Sequence, residues 1–130
     1  MIGVGVLYAY DLYGCRFCPT DVGKLTRAVI ETARDAGMQV VEDAGGFFSQ
    51  EKWGDQYGSS VITLVVPLKE SHLAIHTWPA HRFVSVDFYT CGDPYKAYDA
   101  MEALAQSFGP ERIERNTVWR GLMLGGDGRA

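Results

Sequence analysis

Residues 69–79, KESHLAIHTWP, place a serine and two histidines in a stretch whose apolar residues alternate as in a β-strand. Serine is a nucleophile that needs a base, and histidine is the side chain best suited to be that base near neutral pH. In a regular strand Ser71 and His76 point to opposite faces. They can cooperate only if the backbone turns near Ser71, which the preceding proline and polar residues permit. A capping serine with histidines on an open sheet face is the plainer interpretation.

Two further groups of residues could carry chemistry, and both contain cysteine. Cys15 and Cys18 form a C-x-x-C motif between a predicted strand and a predicted helix, where redox pairs occur and a zinc site could begin. No second C-x-x-C or closely spaced Cys/His pair completes a zinc pattern. The sequence therefore favours two small, partly buried thiols and predicts no metal site. Cys91, in TCGDP, ends a predicted strand, where a thiol is either activated or merely small.

Hydrophobic periodicity predicts the elements that must position these residues. Strand-like patterns cover residues 4–12, 38–43, 60–68, 70–78, 82–89 and 112–124. Helical patterns begin at Thr20 or Asp21 and at Asp93, and they end at Gly37 and Gly109. Residues 44–60 are predicted to be a turn-rich loop and 125–130 a loose tail.

A short motif, D-x-Y-x-C, occurs at residues 11–15 and again at 87–91, each time at the end of a strand and before a helix. Two copies of a β-α-β-β unit would give one antiparallel-dominated sheet with both helices on a single face. We therefore predict one domain over residues 1–130, an α+β two-layer sandwich with an internal duplication.

The composition narrows the function classes. A chain of 130 residues with 47% hydrophobic and 22% charged residues fits one soluble globular domain. The net charge of −4 gives no reason to expect nucleic acid or an anionic membrane as partner. No apolar run approaches the roughly 18–20 residues of a membrane span, and the first residues lack the basic start of a signal peptide. With 3 cysteines, an odd number, we expect a cytoplasmic protein.

Taken together, ESHLAIHTWP at 70–79 and VDFYTCGDPYKA at 86–97 resemble the bacterial-type S-adenosylmethionine decarboxylase family, and YAYDLYGC at 8–15 agrees. The resemblance implies a self-processing proenzyme, which makes a covalently bound pyruvoyl cofactor from an internal serine. The resemblance implies cleavage between Glu70 and Ser71. The products would be residues 1–70 and residues 71–130, the second beginning with the pyruvoyl group.

The resemblance also implies a role for each site residue. Ser71 is the pyruvoyl precursor and forms the Schiff base with the substrate, and His76 removes a proton during processing. Thr63 falls where the family has a serine that supports processing. Cys91 matches the proton donor in decarboxylation, whereas His72 serves orientation or packing. The implied protein is a decarboxylase of polyamine synthesis, acting on a small molecule as a homodimer of processed protomers or a larger homo-oligomer.

Ala80 is the main departure from the family, which has a glutamate there that is associated with the ribose hydroxyls of S-adenosylmethionine. Each buried hydroxyl left unpaired costs about 1–3 kcal/mol, so nucleoside binding should weaken. Family members that use L-ornithine or L-arginine bind no ribose. In this chain a loop carboxylate, Glu51 or Asp55, could bind the distal cation of such a substrate, although each could equally be a solvated surface residue. We therefore favour these amino acids over S-adenosylmethionine. S-adenosylmethionine stays an alternative substrate for two reasons. Tyr57 falls near the family aromatic that stacks on adenine, and His81 could replace the glutamate by donating a hydrogen bond to ribose.

Two other classes of function stay open. Ala80 permits a catalytically silent relative that pairs with and regulates an active enzyme, although such a copy has no need to keep all three catalytic side chains. A redox or zinc module would instead depend on Cys15 and Cys18.

Overall fold

The computed structural model describes residues 4–41, 47–52 and 60–124. Its regular elements, in chain order, are β1 (Gly5–Tyr13), α1 (Val22–Asp35), β2 (Phe47–Lys52), β3 (Ser60–Leu68), β4 (Ser71–Trp78), β5 (Phe83–Thr90), α2 (Pro94–Ser107) and β6 (Arg112–Arg120). A single 3₁₀ turn, Pro79–His81, joins β4 to β5. Among the described residues no helix is long and apolar enough to cross a bilayer.

The strands form one six-stranded sheet in the order β2-β3-β4-β5-β1-β6. Every neighbouring pair is antiparallel. Both helices pack on the same side, where their apolar residues and those of the strands make one core. The predicted α+β two-layer sandwich is confirmed.

Strict alternation of side chains gives the sheet two different faces. On β4, Leu73, Ile75 and Thr77 are fully buried beneath the helices, so we call this the covered face. His72 and His76 belong to the opposite side, the open face, over which no other described element lies. Because partners across the ladders share a face, the two faces continue through the whole sheet.

The helices begin at the capping residues that the sequence suggests. Asp21 accepts a hydrogen bond from the Lys24 backbone N–H at 3.1 Å. Asp93 accepts one from the Tyr95 N–H at 2.9 Å, with Pro94 as the first helical residue. A carboxylate in this position satisfies backbone donors that have no partner within the helix and opposes the positive end of its dipole.

The prediction for residues 38–60 is wrong in two places. Within 38–41, the described part of the predicted strand at 38–43, the backbone makes an isolated bridge between Val40 and Leu68 and no longer strand. A strand lies instead at 47–52, inside the predicted loop, and its backbone pairs with β3 from Phe47 opposite Val65 onward. An edge strand of this kind is fixed by its tertiary partner, and the glycines on both sides of it conceal the pattern.

The repeated D-x-Y-x-C motifs end two strands that are neighbours, with Ala9 opposite Asp87. Each strand leads into a helix, as the sequence indicates. Two β-α-β-β units would place two strands after each helix. In the part of the chain that the structure describes, α1 is followed by β2 and β3, whereas α2 is followed by β6 alone. The described elements therefore contain one complete β-α-β-β unit, β1-α1-β2-β3, and a second helix that one strand follows.

Replacing Ile75 by alanine should lower the free energy of unfolding by about 2–5 kcal/mol, because the side chain is fully buried in the middle of the sheet. Urea unfolding in a Ser71→Ala background, which is designed to keep the chain in one piece, would measure it. The matched control is Val118→Ala on β6, where the side chain is 45% exposed and the expected loss is below about 0.5 kcal/mol.

Candidate active site

A tight turn at Lys69 and Glu70 connects β3 to β4 and brings Leu68 opposite Ser71. Glu70 has a φ of 59°, a left-handed conformation that costs a residue with a Cβ about 1–2 kcal/mol. The turn is held in place by a hydrogen bond from the Lys69 N–H to the Gln39 carbonyl at 3.0 Å. The backbone therefore turns immediately before Ser71, with a strained residue on one side of the Glu70–Ser71 bond, while Ser71 itself stays in the β4 ladder.

The Ser71 hydroxyl has a weak hydrogen-bond acceptor on the covered face. Its Oγ lies 3.5 Å from the sulfur of Met38, which also accepts from Thr90 Oγ1 at 3.3 Å. Gly92 lies against the same methionine, and a Cβ there would collide with the Met38 methyl group. A cavity of about 270 Å³ opens between these residues and the turn at Glu70. Because a thioether accepts only weakly, the serine hydroxyl is free to rotate toward the adjacent carbonyl.

Thr63 of β3 and His76 of β4 are directly opposite each other in the ladder between these strands, and both side chains lie on the open face. Thr63 Oγ1 and His76 Nδ1 are 3.2 Å apart. The imidazole also stacks on Trp78, with ring centroids 6.0 Å apart. When Nδ1 carries the ring proton and donates it to the threonine hydroxyl, the ring orientation is fixed and Nε2 keeps a lone pair that can accept a proton.

Within one protomer, Ser71 and His76 are far apart. They lie five positions apart on β4, which corresponds to about 16 Å along a strand. They also lie on different faces, since Ser71 shares the covered face with Leu73. The His76 imidazole therefore does not reach the serine of its own chain.

Cys91 follows β5 at the same end of the sheet as Ser71, because His72 is opposite Tyr89. The Cys91 thiol is exposed and donates to the Tyr89 hydroxyl at 3.7 Å. The sequence analysis did not single out Tyr89. The available signal was its place two residues before Cys91, which puts both side chains on one face of the strand.

Ala80 lies at the other end of β4, in the exposed 3₁₀ turn. Trp78, just before it, is seven positions from Ser71, or about 23 Å along the strand. Beside the turn is an open pocket of about 360 Å³, lined by Tyr13, Trp78, His81 and Phe83. Sequence analysis missed Tyr13 and Phe83, which only strand register brings together.

Three predicted substrate residues belong to the segment before β3. Asp55 and Tyr57 lie outside the described residues. Glu51 lies in β2, where its backbone is opposite Val61. Contacts of these three residues with a substrate stay predictions.

The two thiols of the C-x-x-C motif are hydrogen bonded to backbone carbonyls. Cys15 donates to Leu12 at 3.5 Å and Cys18 to Phe83 at 3.7 Å. Burial raises the pKa of Cys15, and burial together with Cys15 raises the pKa of Cys18 to about 11. Reactive thiol pairs have lowered values, because they act as thiolates. These surroundings favour the plainer interpretation of two packed thiols.

Comparison with known proteins gives consistent matches. The family model described as S-adenosylmethionine decarboxylase matches residues 7–121. The S-adenosylmethionine decarboxylase proenzyme of Carboxydothermus hydrogenoformans is 36% identical over 115 residues, covering 88% of this chain and 84% of that one. The arginine decarboxylase proenzyme of Pyrobaculum arsenaticum is 43% identical over 96 residues, covering 74% and 68%. The crystal structure of the adenosylmethionine decarboxylase from Aquifex aeolicus superposes with a TM-score of 0.78 at 29% identity, covering 96% and 97%. The chain belongs to the S-adenosylmethionine decarboxylase family.

Proposed function

We propose that this chain is a self-processing, pyruvoyl-dependent decarboxylase that cleaves itself between Glu70 and Ser71. The observation that carries the proposal is the turn at that bond, where a residue with a φ of 59° directly precedes a serine whose hydroxyl donates to the Met38 thioether, a weak acceptor. Backbone strain on one side of the bond and a weakly held hydroxyl on the other favour attack by the serine.

Processing uses the atoms of Glu70 and Ser71 themselves. Ser71 Oγ attacks the Glu70 carbonyl carbon, the C–N bond between the two residues breaks, and the hydroxyl proton passes to the freed Ser71 amine. A base then removes the α-proton of Ser71, and the bond between Ser71 Cβ and Oγ breaks, which releases Glu70 as a carboxylate and leaves dehydroalanine at residue 71. Water adds to the dehydroalanine, by way of its imine tautomer, and ammonia leaves, so that the second chain begins with a pyruvoyl group at residue 71.

The surroundings of Ser71 fit this group. The cavity of about 270 Å³ at the turn leaves room for a substrate beside residue 71. A pyruvoyl group supplies a carbonyl that binds a substrate amine and withdraws the electrons left by departing CO₂. The carbon that loses CO₂ must then receive a proton. Cys91 lies just past β5 at this end of the sheet, with its exposed thiol toward the open face, so it would reach residue 71 around the ends of the strands and supply the proton from Sγ.

We further propose that the active unit is a homodimer whose protomers exchange catalytic side chains. The Thr63–His76 pair lies on the open face and about 16 Å from the serine of its own chain. If two open faces pack together, His76 of the partner subunit can approach the Glu70–Ser71 turn. The same packing would cover the half-buried aromatic rings of Trp78 and Phe83.

Replacing Thr63 by valine should slow cleavage by about tenfold, because the His76 ring loses the hydrogen bond that fixes its orientation. The rate is measured as the fraction of cleaved chain over time after a pulse of cell-free synthesis. Thr63→Ser keeps the hydroxyl and is expected to cleave at nearly the normal rate. Equal rates in the valine and serine variants would show that the hydroxyl has no part in processing.

For the substrate we propose a basic amino acid, L-arginine or L-ornithine. Ala80 offers no carboxylate to ribose hydroxyls, and a relative named arginine decarboxylase proenzyme is 43% identical to this chain. S-adenosylmethionine is the second candidate, supported by the 36% identical relative named for that substrate.

Release of labelled CO₂ from L-arginine, L-ornithine and S-adenosylmethionine, each labelled in its carboxyl group, separates these candidates. Ser71→Ala is the blank, since it has no source for the pyruvoyl group. Turnover of either amino acid above S-adenosylmethionine supports the proposed substrate class. Turnover of S-adenosylmethionine alone would contradict it and leave the decarboxylase intact.

A further inference from the structure

Tyr89 and Cys91 form a pair of side chains on the open face, at the Ser71 end of the sheet. The Cys91 Sγ and the Tyr89 Oη are 3.7 Å apart, within hydrogen-bond distance for sulfur. The two residues are separated by one position, so the geometry of the strand itself brings their side chains to one side. The hydroxyl is thus a direct neighbour of the thiol that the proposed reaction uses.

The Tyr89 ring is held by residues of two other strands. It stacks on His72 of β4, with centroids 5.6 Å apart and planes inclined by 26°. The guanidinium carbon of Arg120 on β6 lies 5.8 Å from the Tyr89 ring centroid. Such contacts of an aromatic ring fix its position without using its hydroxyl group.

The neighbouring strand β1 leaves a space for the hydroxyl. A Cβ built on Gly5 would lie 2.6 Å from Tyr89 Oη and 3.1 Å from the Thr90 carbonyl oxygen. Any residue other than glycine at this position would therefore push the hydroxyl away. Residues of three strands, β1, β4 and β6, combine to place one oxygen atom beside Cys91.

On the basis of the proposed decarboxylase function, we propose that Tyr89 is a positioning residue for Cys91. Its hydroxyl holds the thiol at the Ser71 end of the sheet and donates a hydrogen bond to Sγ once the thiol proton has been given up. In that step the S–H bond breaks, the proton moves to the substrate carbon, and the electron pair stays on sulfur. Tyr89 keeps its own proton throughout, and solvent restores the thiol.

The phenol is suited to remain the donor. The hydrogen bond with Cys91 is the largest cause, followed by burial, that raises the pKa of Tyr89 above its ordinary value, while Arg120 opposes the rise. Tyr89 is therefore protonated at neutral pH. The charged or titratable groups that face it are His72, Arg120 and the thiol itself.

The test is the pH profile of Cys91 alkylation by iodoacetamide, followed by peptide mass spectrometry on the full chain. In Tyr89→Phe the ring contacts remain but the hydroxyl is lost. The profile should move by about one pH unit to higher pH, and the limiting rate at high pH should rise, because a less stabilised thiolate is the better nucleophile. Gly5→Ala should move the profile in the same direction, whereas Tyr95→Phe, on a side chain 81% exposed, should leave it in place.

All variants are compared in the Ser71→Ala background, which does not depend on processing or turnover. A profile that Tyr89→Phe leaves unchanged would overturn the positioning role while the decarboxylase proposal stands. Conversely, a chain with Ser71 that never cleaves would defeat the proposed function without altering this measurement. Parallel shifts in Tyr89→Phe and Gly5→Ala would support the role, since both changes take the Tyr89 hydroxyl away from its place beside Cys91.

Discussion

Co-expression of Ser71→Ala and His76→Ala chains should restore a cleavage that neither variant shows alone. Ser71→Ala lacks the nucleophile and His76→Ala lacks the base. In a mixed dimer the intact His76 of one protomer faces the intact Ser71 of its partner. This expectation follows from the separation of about 16 Å along β4 between these residues in one chain.

Different affinity tags on the two chains make the result specific. Only the His76→Ala chain should be cut, because it alone carries the serine. A chain with both substitutions, mixed with His76→Ala, is the matched control and should restore nothing. If tagged chains purify together but cleavage is not restored, the exchange of side chains between protomers is wrong. If His76→Ala cleaves alone, processing uses another base.

Replacing Ala80 by glutamate should raise turnover of S-adenosylmethionine by at least about tenfold in kcat/KM. A carboxylate can accept both ribose hydroxyls, and each such bond to a charged group contributes about 1.5–3 kcal/mol. Release of labelled CO₂ from S-adenosylmethionine measures the change. Ala80→Gln has nearly the same size without the charge and should gain much less.

No increase with glutamate would mean that residue 80 does not face the ribose, and the argument from Ala80 to a basic amino acid would then fail. The position of the residue adds a further condition. Because Trp78 is already about 23 Å along the strand from Ser71, Ala80 can act on a substrate at residue 71 only from the partner subunit. The glutamate should therefore act across the same interface as His76.

Much of the fold follows from local patterns in the sequence. Leu73, Ile75 and Thr77 occupy every second position, which predicts β4 and its faces, because each inward side chain is buried in the same core. Asp21 and Asp93 mark the helix starts, because a carboxylate there bonds to free backbone N–H groups. The same alternation predicts that Ser71 and His76 lie on different faces.

What the sequence does not reveal depends on strand register and on tertiary pairing. Thr63 meets His76, and Tyr89 meets His72, because particular strands pair at particular residues, and single-strand patterns do not contain that register. The strand at 47–52 exists because β3 offers it an edge, whereas its own flanking glycines indicate a loop. The positive φ of Glu70 is likewise a property of the closed hairpin.

The central claim is that this chain cuts itself at the turn before Ser71. Its most direct test is the intact mass of the purified, denatured protein beside that of Ser71→Ala. We predict two chains, residues 1–70 and residues 71–130, the second blocked at its start by a pyruvoyl group, and a full-length Ser71→Ala. A single species of 14.4 kDa in both samples would contradict the account.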